Sequence, residues 1–174
     1  MLIELRKGRT LHPGTFNAVI APGKVMISAL NTNTDIQRFL FLYISGNYSR
    51  LLTSISRSSK NFEARRAFTV HQLFTILRET GHTVVILEHD PALFEGAKDM
   101  IPQIAGMLKE VGRESLVILY TTSADDSFSI LMRHADRIIE ITPYEEMGRT
   151  MFRRSRPHRG SGPLPDSLTT LEVS

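Results

Sequence analysis

Two acidic side chains follow an apolar run near the middle of the chain, in the stretch GHTVVILEHDP (81–91). Val84 to Leu87 is predicted to form a buried strand, and Glu88 and Asp90 come directly after it. In nucleotide-hydrolysing proteins, an acidic residue at such a strand end holds magnesium. Glu88 and Asp90 are therefore candidate nucleotide-binding residues. The alternative is a solvated strand end at which Asp90-Pro91 sets a turn.

A magnesium site of this kind needs a phosphate loop, GxxxxGK[ST], whose backbone amides cradle phosphates and whose hydroxyl binds the metal. Gly23-Lys24 is the Gly-Lys pair that follows a predicted strand. Aligning it with the motif places Ala18 at the first glycine and Val25 at the hydroxyl position. Val25 has no oxygen for a metal, so the sequence predicts no standard phosphate loop and favours the turn interpretation of the acids.

A non-standard phosphate site is the alternative that would keep a nucleotide. Gly23 and Lys24 could contribute to it, and so could Asn33 and Thr34 in the stretch NTNTD (31–35). Short polar side chains of this kind also cap helix starts. ATP and magnesium would be the cofactors of such a site, whereas the preferred interpretation has no cofactor and no catalytic residue.

The C-terminal region is rich in arginine. Five lie within RTMFRRSRPHR (149–159), namely Arg149, Arg153, Arg154, Arg156 and Arg159. Guanidinium groups suit phosphate oxygens, so these residues are candidates for nucleic-acid binding, with Phe152 available to stack on a base. A solvated basic tail or a protein-docking strand is the alternative. Arg65 and Arg66 form a second basic spot.

Other chemistry has little support in the sequence. The six histidines include no i, i+4 pair, and there is no G-x-S-x-G motif, so neither a metal site nor a hydrolase triad is predicted. The absence of cysteine excludes disulfides and thiol catalysis. With 41% hydrophobic and 22% charged residues and no long apolar segment, the chain is expected to be a cytoplasmic globule without membrane contact.

Strands and helices alternate from residue 61 onward. Strands are predicted at 61–68, 82–88, 115–123 and 136–142, and helices at 69–80, 95–112 and 125–135. This alternation predicts an α/β fold, a three-layer αβα sandwich with a mostly parallel sheet. Phe68-Thr69, Glu88 to Asp90 and Thr121 to Ser123 should then converge at the carboxyl edge of the sheet.

The two ends of the chain are less regular. Two strands, 14–22 and 24–31, are predicted around Pro22-Gly23, and one or two helices across 35–58. Residues 1–143 are expected to form the core. Residues 144–174 are expected to be a basic extension that forms edge strands or is partly disordered.

The layout from 61 to 141 resembles the RecA-like core of the P-loop superfamily that includes RecA, RadA and the KaiC-type ATPases. In that resemblance TVVILEHD (83–90) aligns with the Walker B strand, and SLVILYTTS (115–123) with the next strand, whose polar end senses nucleotide. RRAFTVHQLFTIL (65–77) is similar to the segment of archaeal RadA paralogues that leads into the Walker B strand. GHTVVILEHD also looks like the switch-histidine strand of ABC-type ATPases, with His89 as the histidine that contacts the γ-phosphate; this match ranks second.

The resemblance implies a degenerate RecA-like domain that lacks a standard Walker A motif and is not an enzyme. Such a domain would act as an accessory or regulatory protein in DNA repair or recombination, with DNA and a RecA- or RadA-type protein as partners. It would also be expected to form a homo-oligomer. The alternatives are a nucleotide-binding ATPase with a non-standard phosphate site, and a homo-oligomeric interaction module with no nucleotide or DNA ligand.

Overall fold

A parallel sheet lies at the centre of the structure, a computed structural model that describes residues 3–6, 8–56 and 59–142. The described residues belong to one unit, Met1–Thr142. Its strands are β1 (Ile3–Arg6), β2 (Arg9–Leu11), β3 (Thr15–Ile20), β4 (Phe41–Ser45), β5 (Phe62–Arg66), β6 (Val84–Glu88), β7 (Leu116–Thr121) and β8 (Arg137–Glu140). Its α-helices are α1 (Gly23–Thr32), α2 (Val70–Glu79), α3 (Ile101–Val111) and α4 (Asp126–Met132).

Six strands form the central sheet in the order β5-β4-β6-β7-β3-β8, and every neighbouring pair is parallel. β4, β6 and β7 are buried along their whole length, which explains their continuous apolar sequences. β1 and β2 form a separate antiparallel hairpin.

Two hydrophobic cores lie on opposite faces of the sheet. The first contains α1, the β1–β2 hairpin, a short 3₁₀ helix (Thr34–Arg38) and the loop after β4, which contributes Leu51 and Ile55. The second contains α2, α3 and α4. The predicted three-layer α/β architecture with a mostly parallel sheet is therefore confirmed.

The segment 24–31, predicted as a strand, is instead most of helix α1. Met26, Ala29 and Leu30 are buried at helical spacing, whereas Val25 and Ile27, which suggested a strand, are only partly buried. The prediction was wrong because β-branched residues in a short apolar run favour a strand, whereas the buried positions of this run repeat with the period of a helix.

The prediction of helices across 35–58 was also wrong, because its centre is the fully buried strand β4. Leu42 and Ile44 pack into the core of α2 to α4, while Phe41 and Tyr43 pack into the opposite one. A strand that is buried on both faces shows no alternation, so its short apolar run could not be told from a buried helix.

The elements predicted after residue 61 are present, with shorter bounds at several ends. α3 begins only at Ile101, with Pro102 in its first turn, where its missing N–H costs no helical hydrogen bond. Two short 3₁₀ helices, Pro91–Phe94 and Lys98–Met100, precede it. The predicted edge strands within 144–174 lie outside the described residues.

The connections leave a crevice at the carboxyl edge of the sheet. The segments that follow β3 and β4 pack on one face, and those that follow β5, β6 and β7 pack on the other. Such a reversal is where open α/β sheets bind ligands. Within the described ranges, no helix is both long and apolar enough to span a bilayer.

Candidate functional site

A pocket of about 260 Å³ lies at the carboxyl ends of β4, β6 and β7. Its walls are Tyr48, Arg50, Glu88, His89, Asp90, Pro91, Tyr120, Thr121, Thr122 and Ser123. The structure thus brings the acidic end of β6 and the hydroxyl-rich end of β7 together, as the sequence predicted. It adds a loop after β4 that the sequence did not identify.

Glu88 is only 5% exposed, and its carboxylate accepts hydrogen bonds from protein donors on both oxygens. Tyr43 Oη and Ser49 Oγ donate to Oε2 at 2.6 and 2.5 Å, and the backbone N–H of Arg50 donates to Oε1 at 2.8 Å. Burial, followed by the bond to Glu88, raises the pKa of the Tyr43 hydroxyl far above its ordinary value. Glu88 therefore ties the loop after β4 to the end of β6.

Asp90 holds the same loop from the other side. Its Oδ2 accepts from the backbone N–H of Asn47 at 3.0 Å, and its Oδ1 accepts from that of Ala92 at 3.0 Å, which caps the Pro91–Phe94 turn. A Cβ on Gly46 would collide with the Asp90 side chain, so glycine is required there for close approach. The interpretation of Asp90 as a turn-setting residue fits this geometry.

At the start of α1, side chains pack close to Gly23, while Lys24 is exposed. Only Ala21 and Pro22 separate β3 from α1, and Pro22 has no N–H to offer a phosphate. Leu51 Cδ2 is 3.4 Å from the position that a Cβ on Gly23 would take, and Tyr120 Oη donates to the carbonyl of Ala21 at 3.0 Å. This geometry does not fit a GxxxxGK[ST] loop.

Tyr120 lies between the start of α1 and Glu88. Burial, followed by the negative charge of Glu88, raises the pKa of Tyr120 to about 12. The hydroxyl therefore stays protonated and serves as a donor to Ala21 throughout the physiological pH range.

Asn33 and Thr34 lie at the opposite end of α1, next to the amino ends of the strands. The ten residues of α1 span roughly 15 Å. The structure therefore separates Asn33 and Thr34 from Gly23, Lys24 and the pocket. A single phosphate site cannot use both ends of this helix.

The candidate arginines Arg149, Arg153, Arg154, Arg156 and Arg159 lie outside the described residues. The cation at the pocket is instead Arg50, which donates from Nη1 to Thr122 Oγ1 at 3.3 Å. Among the described residues, no group of three or more His, Cys, Asp or Glu side chains is arranged to hold a metal ion.

The chain has a relative among known proteins, although no family model matches it. An uncharacterized protein of Archaeoglobus fulgidus is 38% identical over 133 residues, which span 76% of this chain and 67% of the relative. The chain belongs to the family of that archaeal protein. This membership assigns no activity, since the relative is itself uncharacterized.

In this member of the family, His89 joins β6 to α4. Its ring is 1% exposed and lies between Phe94 and Phe128, and Nε2 is 2.9 Å from Asp125 Oδ2. Ser127 Oγ approaches the same nitrogen at 3.2 Å. In a catalytic triad the nucleophile and the carboxylate use different ring nitrogens, so this cluster is not a triad. The buried ring contacts Asp125, Ser127 and Phe128 at the start of α4.

Asp125 caps the start of α4 in the same cluster. Burial alone would raise its pKa, but hydrogen bonds from the Phe128 amide, the Ser127 hydroxyl and His89 lower the pKa overall. The Phe128 amide lies 2.8 Å from Oδ1 and the Ser127 hydroxyl 2.7 Å from it.

Sequence reasoning missed the loop residues Ser49 and Arg50 and the strand residue Tyr43. The stretch GNYSR (46–50) carries the Gly-Asn signal of a loop, but that signal lay inside a segment interpreted as helical. Nothing in the local sequence indicates that Ser49 and the Arg50 amide bond to a carboxylate about forty positions away.

Proposed function

We propose that this chain is a RecA-like domain without catalytic activity, which acts as an accessory or regulatory protein in DNA repair or recombination. The observation that carries the proposal is the state of Glu88. At the position that the resemblance gives to the Walker B acid, the carboxylate is buried and accepts three hydrogen bonds from the protein. These donors occupy three of the roughly four acceptor sites of the carboxylate, so a magnesium ion would compete with them, at a cost of about 1–3 kcal/mol for each donor that it displaced.

The connection from β3 to α1 supports the same proposal. In the sheet, β7 lies between β3 and β6, so the three strand ends that a nucleotide would need are neighbours. The phosphate loop that would make use of this arrangement is replaced by Ala21 and Pro22, with Leu51 over the start of α1.

Nucleotide turnover is the first test. We expect no ATP hydrolysis above background and no change in melting temperature with ATP and magnesium, whereas a ligand at a hundred times its dissociation constant would add about 2.7 kcal/mol. A magnesium-dependent rise in melting temperature that Glu88→Gln abolishes would contradict the proposal. It would favour the alternative of an ATPase with a non-standard phosphate site.

The DNA part of the proposal has its support in the five C-terminal arginines of the sequence. Titration of a fluorescent single-stranded oligonucleotide across a salt series tests it. The full chain should bind at low salt, with an affinity that falls steeply as salt rises. Changing all five arginines to glutamine should weaken binding and flatten that dependence. Absence of binding by the unaltered chain at low salt would end this part of the proposal.

A further inference from the structure

Two exposed aromatic side chains lie at the carboxyl edge of the sheet. Tyr48 is 87% exposed and Phe68 is 58% exposed. They follow the neighbouring strands β4 and β5, whose last residues, Ser45 and Arg66, are paired. The N–H of Ala67 extends this pairing by donating to Ser45 O at 2.9 Å. The two aromatics therefore follow adjacent strand ends, roughly 5 Å apart across the ladder.

The backbone around Phe68 is fixed by the start of α2. Thr69 Oγ1 accepts from the Gln72 amide at 3.2 Å, and Gln72 Oε1 accepts from the Phe68 amide at 2.8 Å, a variant of the capping box in which the returning bond goes to the residue before the N-cap. A hydrophobic residue in the position of Phe68 often packs against the fourth helical residue, here Leu73. Leu73 is fully buried while Phe68 remains largely in solvent. The Phe68 ring therefore stays largely in solvent and does not bury itself against Leu73.

The backbone around Tyr48 is fixed by the two acids of β6. Asn47 donates its N–H to Asp90, and Ser49 donates its hydroxyl to Glu88. Tyr48, between them, makes no hydrogen bond within the described part of the chain. Glu88 and Asp90 thus act as anchors of a loop whose outer face is an aromatic ring.

An arginine lies two residues along the chain from each of the two rings. Arg50 and Arg66 are exposed, and the stretches 46–50 and 65–71 contain no acidic residue. The guanidinium of Arg65 is instead paired with Glu63. The carboxylates nearest to the loop, Glu88 and Asp90, are both engaged by its own backbone amides. The carboxyl edge of the sheet therefore carries two exposed aromatic rings and two exposed arginine side chains.

Aromatic rings beside arginines match single-stranded nucleic acid, whose bases stack on the rings and whose phosphates meet the guanidinium groups. The exposed aliphatic Leu40 lies at the other end of β4 and is not part of this patch. The hydroxyls of Thr122 and Ser123 in the adjoining pocket add phosphate donors.

We propose that Tyr48, Arg50, Arg66 and Phe68 form a binding surface for single-stranded nucleic acid at the carboxyl edge of the sheet. The inference deepens the DNA part of the proposed function and locates it on the folded unit rather than on the C-terminal arginines alone. In this arrangement, Glu88 and Asp90 position the surface and do not contact the ligand.

A tryptophan probe tests the surface directly. The chain has no tryptophan, so Tyr48→Trp places a single indole at the edge. Titration with an oligothymidine of about a dozen nucleotides should quench its fluorescence, because bases stack on the ring. Leu40→Trp, exposed at the opposite, amino end of β4, is the control and should not be quenched.

Affinity and its salt dependence provide the second test. Tyr48→Ala with Phe68→Ala should weaken oligothymidine binding by about ten-fold or more. Arg50→Gln with Arg66→Gln should weaken binding and reduce the salt slope by about 1.4, since each single-strand phosphate contact contributes about 0.7. Arg113→Gln with Arg133→Gln removes the same charge from exposed positions elsewhere and should leave the slope unchanged. All three double variants should melt with the unaltered chain, because they alter exposed side chains.

The outcomes separate this inference from the proposed function. If the unaltered chain binds oligothymidine and the aromatic variant binds equally well, the surface is overturned while the C-terminal arginines keep their role. If the aromatic variant fails and the C-terminal arginine variant binds normally, the surface stands alone. If the unaltered chain does not bind at low salt, the inference is overturned in favour of a protein partner. The assignment as a non-catalytic domain, tested with ATP, is unaffected by that result.

Discussion

At the residue scale, the carboxylate of Glu88 places constraints on three partners at once. Tyr43 and Ser49 can rotate their hydroxyls, but the N–H of Arg50 has a fixed direction and needs an acceptor. Each of these three donors is directed at an oxygen of the buried Glu88 carboxylate. The carboxylate therefore holds the three donors in place and leaves little of its surface open to a metal ion.

Glu88→Gln should lower the free energy of unfolding by about 1–3 kcal/mol, because the amide NH₂ replaces an acceptor that faces only donors. Urea unfolding at neutral pH measures the change. Glu110→Gln, on the exposed side of α3, is the matched control and should change stability by less than about 0.5 kcal/mol. Equal stability of the two variants would show that Glu88 does not anchor the loop.

Asp125 gives the chain a pH-dependent element of stability. Because its pKa is lowered in the folded state from the ordinary value of 3.8, its charge stabilises the fold above that value. The contribution is lost as the pH falls through the folded pKa. Asp125→Asn keeps a capping oxygen without the charge, so its free energy of unfolding should fall less than that of the unaltered chain between about pH 5 and pH 2. Parallel curves would exclude this role, and Asp126→Asn serves as the control.

At the element scale, the loop 46–50 joins β4 to the end of β6 through contacts that are distant in sequence. Its position depends on Gly46, because the Asp90 side chain occupies the space that any Cβ would need. The φ angle of Gly46 is not positive, so the requirement is for space and not for a left-handed backbone.

Gly46→Ala should therefore destabilise the chain by about 1–3 kcal/mol, through displacement of Asp90 from the Asn47 amide. Thermal unfolding of Gly46→Ala, Asp90→Ala and the double variant measures the coupling, which should make the double change less costly than the sum. Gly106→Ala, where a Cβ in α3 meets nothing within 4 Å, should raise stability by about 0.5–1 kcal/mol. Additive effects at Gly46 and Asp90 would show that the close approach is unimportant.

The helices and strands differ in how well the sequence predicts them. The elements after residue 61 alternate clearly because their helices are amphipathic and end at Gly, Pro or capping residues. α1 and β4 were assigned wrongly because both are short apolar runs, in which burial and not local propensity decides the conformation. The end of β6 was predicted, but its partners Ser49 and Arg50 come from a loop whose position is set by tertiary packing alone.

At the scale of the whole molecule, burial decreases from the centre of the sheet to its edges. β6 and β7 are fully buried, whereas β5 has no buried residue and three of the four residues of β8 are exposed. Opening of the structure should therefore begin at the edges and reach the centre last.

Hydrogen exchange tests this order. Amides of β6 and β7 should exchange only through global unfolding, and amides of β5 and β8 should exchange faster by local opening. Mass spectrometry of proteolytic fragments at several urea concentrations distinguishes the two regimes. Uniform protection across all six strands would contradict the gradient.

We also propose that the chain forms a homo-oligomer, as the resemblance implies, and the edge strand β8 bears on this proposal. Ile138 on this strand is 54% exposed, and an exposed apolar edge is a site for pairing with a second copy. Light scattering should show a dimer for the unaltered chain and a monomer for Ile138→Lys. A monomer in both cases would remove the proposal, and Arg113→Gln is a control for the loss of an exposed side chain.

The two-residue connection between β3 and α1 also limits which changes could give this chain a phosphate loop. Point substitutions can supply glycines, a lysine or a hydroxyl, but they cannot supply length. Of the two connecting residues, Ala21 already donates its N–H to Thr121 O, and Pro22 has none. A nest of amides would need an insertion together with the removal of Leu51 from the start of α1. No single substitution would therefore create a standard phosphate loop at this connection.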